Sequence, residues 1–223
     1  MSTKNYTTPK GARAWFAEPW RRTKVFPLLL IGIGAGAALP AIVGLILAGT
    51  GTIELEHSGL AAGIIMATII SAAVFTPVFE EVIFRYLFFR GLEKFFGSWA
   101  ALAITGFLFG AAHLMFSKPE GTLEGALIVL AGTLAGVFFA AAYILTRSLW
   151  LPIGLHAGWN LITNVLMGPN IQDANRLMWV SPQGPTVSSG GNFGSDASIL
   201  TSLVLAVAIV WLLRRAKQKG MLI

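Results

Sequence analysis

The 223-residue chain contains no cysteine, which excludes disulfides, a thiol nucleophile and a prenylated cysteine of its own. Its redox compartment is therefore not legible. Charge is also scarce: 12% of residues are Asp, Glu, Lys or Arg and 55% are hydrophobic, against roughly 25% charged in soluble domains. A soluble globular domain is accordingly not expected. Only two aspartates occur, Asp173 and Asp196, both in one Pro-, Gly-, Ser- and Asn-rich stretch, so a paired-aspartate protease within the membrane has no residues to use. HExxH is missing, which removes that zinc-protease arrangement, and no GxSG-type serine falls on an apolar segment. The net charge of +6 comes mostly from basic residues at the ends of apolar runs. Lipid headgroups and membrane topology explain charge placed that way, and no nucleic-acid partner is expected.

What is present is apolar length. Stretches at about 26–48, 60–90, 98–116, 122–145, 149–168 and 197–213 approach the roughly 20 residues that span a bilayer core. The expected fold is an all-α, polytopic membrane helix bundle with about six transmembrane helices. Residues 1–25 read as a basic and aromatic cytoplasmic segment, with Trp15, Phe16 and Trp20 as an interfacial anchor. Residues 26–213 read as a single transmembrane domain with a catalytic core at about 70–165 and an irregular outer loop at 169–196; residues 214–223 read as a basic tail. The first run is a retained span rather than a cleaved signal peptide. Orientation follows from Lys and Arg. Lys4, Lys10, Arg13, Arg21, Arg22 and Lys24 precede the first span, Arg90, Lys94 and Arg147 follow the second and fourth, and four more follow the sixth. Both termini are thus expected in the cytoplasm. Gly32 with Gly36, and Gly132 with Gly136, read as close-packing helix faces.

An ionised group at the bilayer centre costs roughly 3 kcal/mol on insertion scales, so polar residues inside these runs need a reason. The candidates are Glu80, Glu81, Arg85, His113, Glu124, His156, Asn160 and Asn164. Glu124 reads as a solvated helix start, and His57, in a loop, as ordinary surface. Glu81 and Arg85 stand one turn apart and can pair, whereas Glu80 is turned about 100° away. Counted inward from Gly91, Ser98 and Ser148, Glu80, His113 and His156 lie roughly 16, 22 and 12 Å deep at about 1.5 Å per residue. A carboxylate, two imidazoles and an amide can therefore converge from three helices. Glu80 with His113 could deprotonate a water, and His156 with Asn160 could donate hydrogen bonds to an oxyanion. Zinc held by Glu80, His113 and His156 remains open on ligand type.

Glu80 to Arg85 is EExxxR, Phe109 to His113 is FxxxH, and His156 to Asn160 is HxxxN. In this order on successive apolar segments, the three motifs resemble the CPBP family of intramembrane proteases, also called the CAAX protease and bacteriocin-processing or Abi family. The resemblance implies an intramembrane endopeptidase acting on a peptide or membrane-protein substrate. It implies Glu80 and His113 as the water-activating pair, His156 and Asn160 as the oxyanion site, and Glu81 with Arg85 as site-organising. It ranks a mechanism without cofactor first and a zinc-dependent one second. About six spans, rather than the eight of eukaryotic prenyl-protein members, fit the prokaryotic members and a cell-membrane location. Two alternatives stand beside it: a non-enzymatic bacteriocin-immunity or partner-stabilising membrane protein, and a proton-relay transporter.

Overall fold

The computed structural model describes residues 15, 17–20, 24–57, 62–169 and 177–223. Lys4, Lys10, Arg13, Phe16, Arg21, Arg22, Asp173 and Arg176 lie outside the described residues. Four helices are long and apolar enough to cross a membrane: α1 (Val25–Gly49), the run Ala62–His113, α4 (Thr122–Thr146) and α7 (Ile199–Gln218). Between α4 and α7 comes α5 (Trp150–Asn160), prolonged by a π-helical turn at Leu161–Leu166.

The run Ala62–His113 has 52 residues and, if straight, would measure about 78 Å, far beyond a core about 30 Å thick. It is not straight. Gly97 has φ 77° and ψ 169°, outside helical values, and the rings of Phe84 and Phe109 lie 5.0 Å apart. In a continuous helix 25 residues would separate them by about 37 Å. The chain therefore reverses at Gly97, giving legs α2 (62–96) and α3 (98–113). Where six spans were expected, the structure shows four membrane-length helices. Two expected spans merge into this run, and α5 is only 11 residues long.

The helices are not the whole fold. A small sheet of order β1-β3-β2 caps one end of the bundle, built from β1 (Ile53–His57), β2 (Met167–Pro169) and β3 (Met178–Pro182). β1 and β3 pair antiparallel, Ile53 opposite Pro182 and His57 opposite Met178, while β2 and β3 run parallel. This corrects the all-α expectation. β1 and β3 pair across more than 120 residues of sequence, so no local pattern announces that pairing. His57 is a strand residue here rather than loop. The described part of the expected irregular loop contains β3, α6 (Thr186–Ser189) and two 3-10 turns, Gly191–Phe193 and Ser195–Ala197. Ser198 caps α7 by accepting the Thr201 N–H at 3.2 Å.

Packing depends on missing side chains. A Cβ on Gly32 would stand 2.7 Å from the Leu151 carbonyl, and one on Gly132 would stand 2.8 Å from Gly110 Cα. α1 thus lies backbone-to-backbone on α5, and α3 on α4. The end opposite the sheet holds buried ion pairs. Arg147 binds Glu93 with two nitrogens at 2.6 and 3.1 Å, also donates to the Met221 carbonyl, and Arg90 meets Glu18 at 3.2 Å. Two arginines counted as topological charge therefore neutralise buried carboxylates instead.

Candidate active site

The site is built around α2. Its residues Thr76–Glu81 form an ordinary α-helical turn and a half between two π-helical stretches, Ile69–Phe75 and Val82–Phe89. Such insertions widen the helix and redirect side chains, and they concentrate at functional sites. Glu81 points inward and is fully buried; Glu80, one residue earlier, keeps 29% of its side chain exposed.

Glu81 Oε1 binds two partners, Arg85 Nη1 at 3.0 Å and His156 Nδ1 at 3.0 Å. Arg85 donates its other terminal nitrogen to the Gly136 carbonyl at 2.9 Å. The guanidinium lies 4.7 Å from the Phe109 ring centroid and 5.2 Å from that of Phe139. A charge this deep is tolerable because a carboxylate, a carbonyl and two ring faces surround it. The pairing of Glu81 with Arg85 follows the one-turn spacing, but the second bond to His156 crosses 75 residues of sequence and was not legible.

Each histidine is oriented by its Nδ1. In His113, Nδ1 lies 2.8 Å from the Phe109 carbonyl. A carbonyl only accepts, so Nδ1 carries the proton and Nε2 offers a lone pair. His156 stacks on Phe139, with centroids 4.6 Å apart and planes at 14°. Its Nδ1–H donates to Glu81, which turns Nε2 toward Glu80, 3.8 Å away. That gap exceeds a hydrogen bond, yet one oxygen can stand about 2.8 Å from both atoms. Asn160 donates from Nδ2 to the Ala72 carbonyl at 2.9 Å, tying α5 to the first π-helical stretch of α2.

These groups face one cavity of about 480 Å³. Glu80, His113, His156 and Asn160 all line it, with Asn164, Thr76 and Thr163 adding polar atoms. Glu81 and Arg85 stand behind it. The remaining wall is apolar, including Phe84, Phe109, Phe139 and Trp159. Glu80 thus lies 3.8 Å from His156, while His113 shares the cavity. Glu124 is not a solvated helix start. Only 4% of it is exposed, because its carboxylate accepts the backbone N–H of Glu120 at 2.6 Å and of Phe193 at 2.9 Å.

Sequence reasoning missed Phe139, Phe193 and Asp196 as cavity residues. Phe139 carried no distinguishing signal, since it follows Phe138 directly in an apolar helix. The other two had none, since the fold alone brings them there. A zinc set needs three protein donors converging on one point. Among the described residues, no three His, Asp or Glu side chains come together at metal-holding distance, so Glu80, His113 and His156 do not form one in this geometry.

Residues 62–162 match the Rce1-like family, the type II CAAX prenyl endopeptidases. The match covers just under half of the chain and bears out the resemblance carried by EExxxR, FxxxH and HxxxN. No curated protein and no solved structure matches the chain. All three motifs fall within the Rce1-like segment, whereas Asn164, Phe193, Asp196 and Leu205, which also line the cavity, fall outside it. With its apolar helices, the chain is an integral membrane protein.

Proposed function

We propose that the protein is an intramembrane endopeptidase in which Glu80 activates a water for attack on a substrate peptide bond. The observation that carries this reading is the shared cavity, where Glu80 faces the Nε2 of a histidine fixed from behind by the buried Glu81–Arg85 pair. The Rce1-like match supports protease activity in general.

The chemistry is written through this chain's own groups. Glu80 takes a proton from a water held beside it, and the oxygen adds to the carbonyl carbon. The carbonyl becomes an oxyanion, for which His156 and Asn160 supply donors. His156 donates from Nε2 in its doubly protonated form, the ring then giving Nδ1–H to Glu81 and Nε2–H to the oxyanion. Collapse breaks the C–N bond, and Glu80 returns its proton to the leaving amine. His113 Nε2, a lone-pair acceptor, lines the same space and orients the water. The ring walls exclude bulk water, which strengthens each of these interactions.

Six passes with both termini on one side complete the proposal. α1 and α5 run one way and α4 and α7 the other, with the hairpin α2–α3 between them, so the sheet lies on the opposite side from the termini. The substrate is a peptide or membrane protein reached from within the bilayer.

The test is cleavage of a fluorogenic peptide set by the purified full chain. Glu80→Gln should lower kcat by about 10² to 10⁴, the usual worth of a general base, with an unchanged melting curve. Phenanthroline should leave the wild-type rate within two-fold, roughly the scatter of such a comparison. Cleavage at wild-type rate by Glu80→Gln would refute the assignment. Protection of cells by that variant without any proteolysis would favour the immunity reading instead.

A further inference from the structure

The polar groups of the cavity differ in how much of their hydrogen-bonding capacity the fold has already used. Thr76 Oγ1 donates to the Ser71 carbonyl at 3.0 Å, and Asn160 Nδ2 gives a hydrogen to the Ala72 carbonyl at 2.9 Å. Both histidines have Nδ1 engaged. Asn164 lines the same cavity, half-buried and one helical turn beyond Asn160, and among the described residues no group hydrogen-bonds to its amide. A complete donor and acceptor pair therefore faces the space that a substrate enters.

The backbone beneath this amide is fixed. Asn164 sits in the π-helical stretch Leu161–Leu166, between buried Thr163 and Val165. The Val165 carbonyl accepts the Leu177 N–H at 2.9 Å, and the chain then enters β2, where Met167 pairs with Met178. A side chain on so constrained a backbone loses little freedom when it binds.

Asparagine carries the same two groups as a peptide bond, an N–H donor and a carbonyl acceptor. It can meet the N–H and C=O of one extended residue together, as paired strands do. A substrate needs such a partner. Its scissile bond is reachable only where the peptide is unwound, and peptide groups freed at membrane depth have no water to satisfy them. The walls formed by Phe84, Phe109, Phe139 and Ile128 offer them nothing. Four residues of helix separate Asn160 from Asn164 by at most about 6 Å, a span that an extended peptide covers in about two residues. Because α5 leads through this stretch into β2, Asn164 lies on the sheet side of Asn160.

We propose that Asn164 is a substrate-binding residue that holds the unwound backbone of the substrate, pairing with one extended residue on the sheet side of the scissile bond. The inference rests on the protease reading above and adds what is recognised there: peptide groups rather than a side chain, by a residue outside the matched segment.

The test uses the purified full chain in detergent and a cleaved peptide remade with each backbone N–H near the scissile bond replaced in turn by an ester oxygen. In wild type, one ester within about two residues of the scissile bond should raise KM by about ten-fold, the scale of a net hydrogen bond. Asn164→Ala breaks no bond within the protein, so its melting curve should be unchanged. For the all-amide peptide its KM should rise by a similar factor with kcat kept within about two-fold, because the contact holds substrate and transition state alike. Ester and variant together should cost no more than either alone. Additive losses at every position, an unchanged KM in Asn164→Ala, or a loss confined to kcat overturns the inference. A second measurement needs no turnover. Fluorescence anisotropy of a labelled apolar peptide of about 20 residues, bound to Glu80→Gln with and without Asn164→Ala, should show the same ratio and the same loss of ester sensitivity. Equal binding in both chains, or binding in neither, overturns the backbone site. If wild type cleaves no peptide while this ratio holds, the protease reading falls and the backbone site stands.

Discussion

Replacing Arg85 by Met tests whether Glu81, Arg85 and His156 act as a unit. Arg85 and Glu81 are buried to within 2% and 0% exposure. Removing the cation leaves the Glu81 carboxylate with only His156 as partner, and stranding a buried charge costs about 3 to 5 kcal/mol. Loss of the guanidinium from the faces of Phe109 and Phe139 adds roughly 1 kcal/mol, and the Gly136 carbonyl loses its donor. At about 1.4 kcal/mol per factor of ten, the folding equilibrium should move by a factor of about 10³ to 10⁴. Glu81→Gln alone strands the arginine and should cost a similar amount. The double variant Glu81→Gln, Arg85→Met strands neither charge, and so should lose only about 1 to 2 kcal/mol for imperfect packing. The cycle is thus predicted to be non-additive by more than about 2 kcal/mol. The assay is reversible unfolding in mixed micelles, followed by tryptophan fluorescence. Additive losses would show that the two charges do not rely on each other and would refute the pairing. Activity separates the roles further. The double variant keeps a side-chain carbonyl near His156 Nδ1 but not a carboxylate, so it should fold and yet lose about 10² or more in kcat, as when an imidazole loses its orienting carboxylate.

Two further predictions follow from packing. A Cβ on Gly36 overlaps the backbone of Leu155, so Gly36→Ala should force α1 from α5 at a cost of about 1 to 3 kcal/mol, read as faster tryptic cleavage in detergent; an unchanged rate would mean that the two helices are not in backbone contact. Arg147→Ala strands Glu93 at the opposite end from the sheet, and should cost about 3 to 5 kcal/mol with KM for any cleaved peptide unchanged in the molecules that remain folded; a shifted KM would tie this cluster to the cavity.

The sequence revealed those features whose partners are close along the chain. Glu81 and Arg85 are four residues apart, FxxxH and HxxxN each span one helical turn, and the small-residue faces repeat at helical spacing, so elementary geometry was enough for all of them. Features built by distant partners were illegible. β1 and β3 pair over more than 120 residues, and IELEH between two membrane runs reads as a polar loop. Glu124 reads as a solvated helix start because its acceptor role depends on Phe193, 69 residues later. The depth count rested on ordinary α-helical rise, but π-helical stretches at Ile69–Phe75 and Val82–Phe89 alter the turn on both sides of Glu80.

That alteration bears on why adjacent glutamates occupy this position at all. On one helix face a single carboxylate has to choose between neutralising a buried cation and facing a reactant. Two adjacent carboxylates, turned about 100° apart, divide those tasks: Glu81 stays locked between Arg85 and His156, and Glu80 stays half-open to the cavity. His156 joins the two, with Nδ1 on the locked carboxylate and Nε2 toward the open one. Moving the pair by one residue would exchange the faces and put the cavity carboxylate against Arg85. Glu81 variants are therefore expected to lose stability, and Glu80 variants to lose rate with stability kept; a Glu80→Gln variant that unfolds as readily as Glu81→Gln would show that this division does not hold.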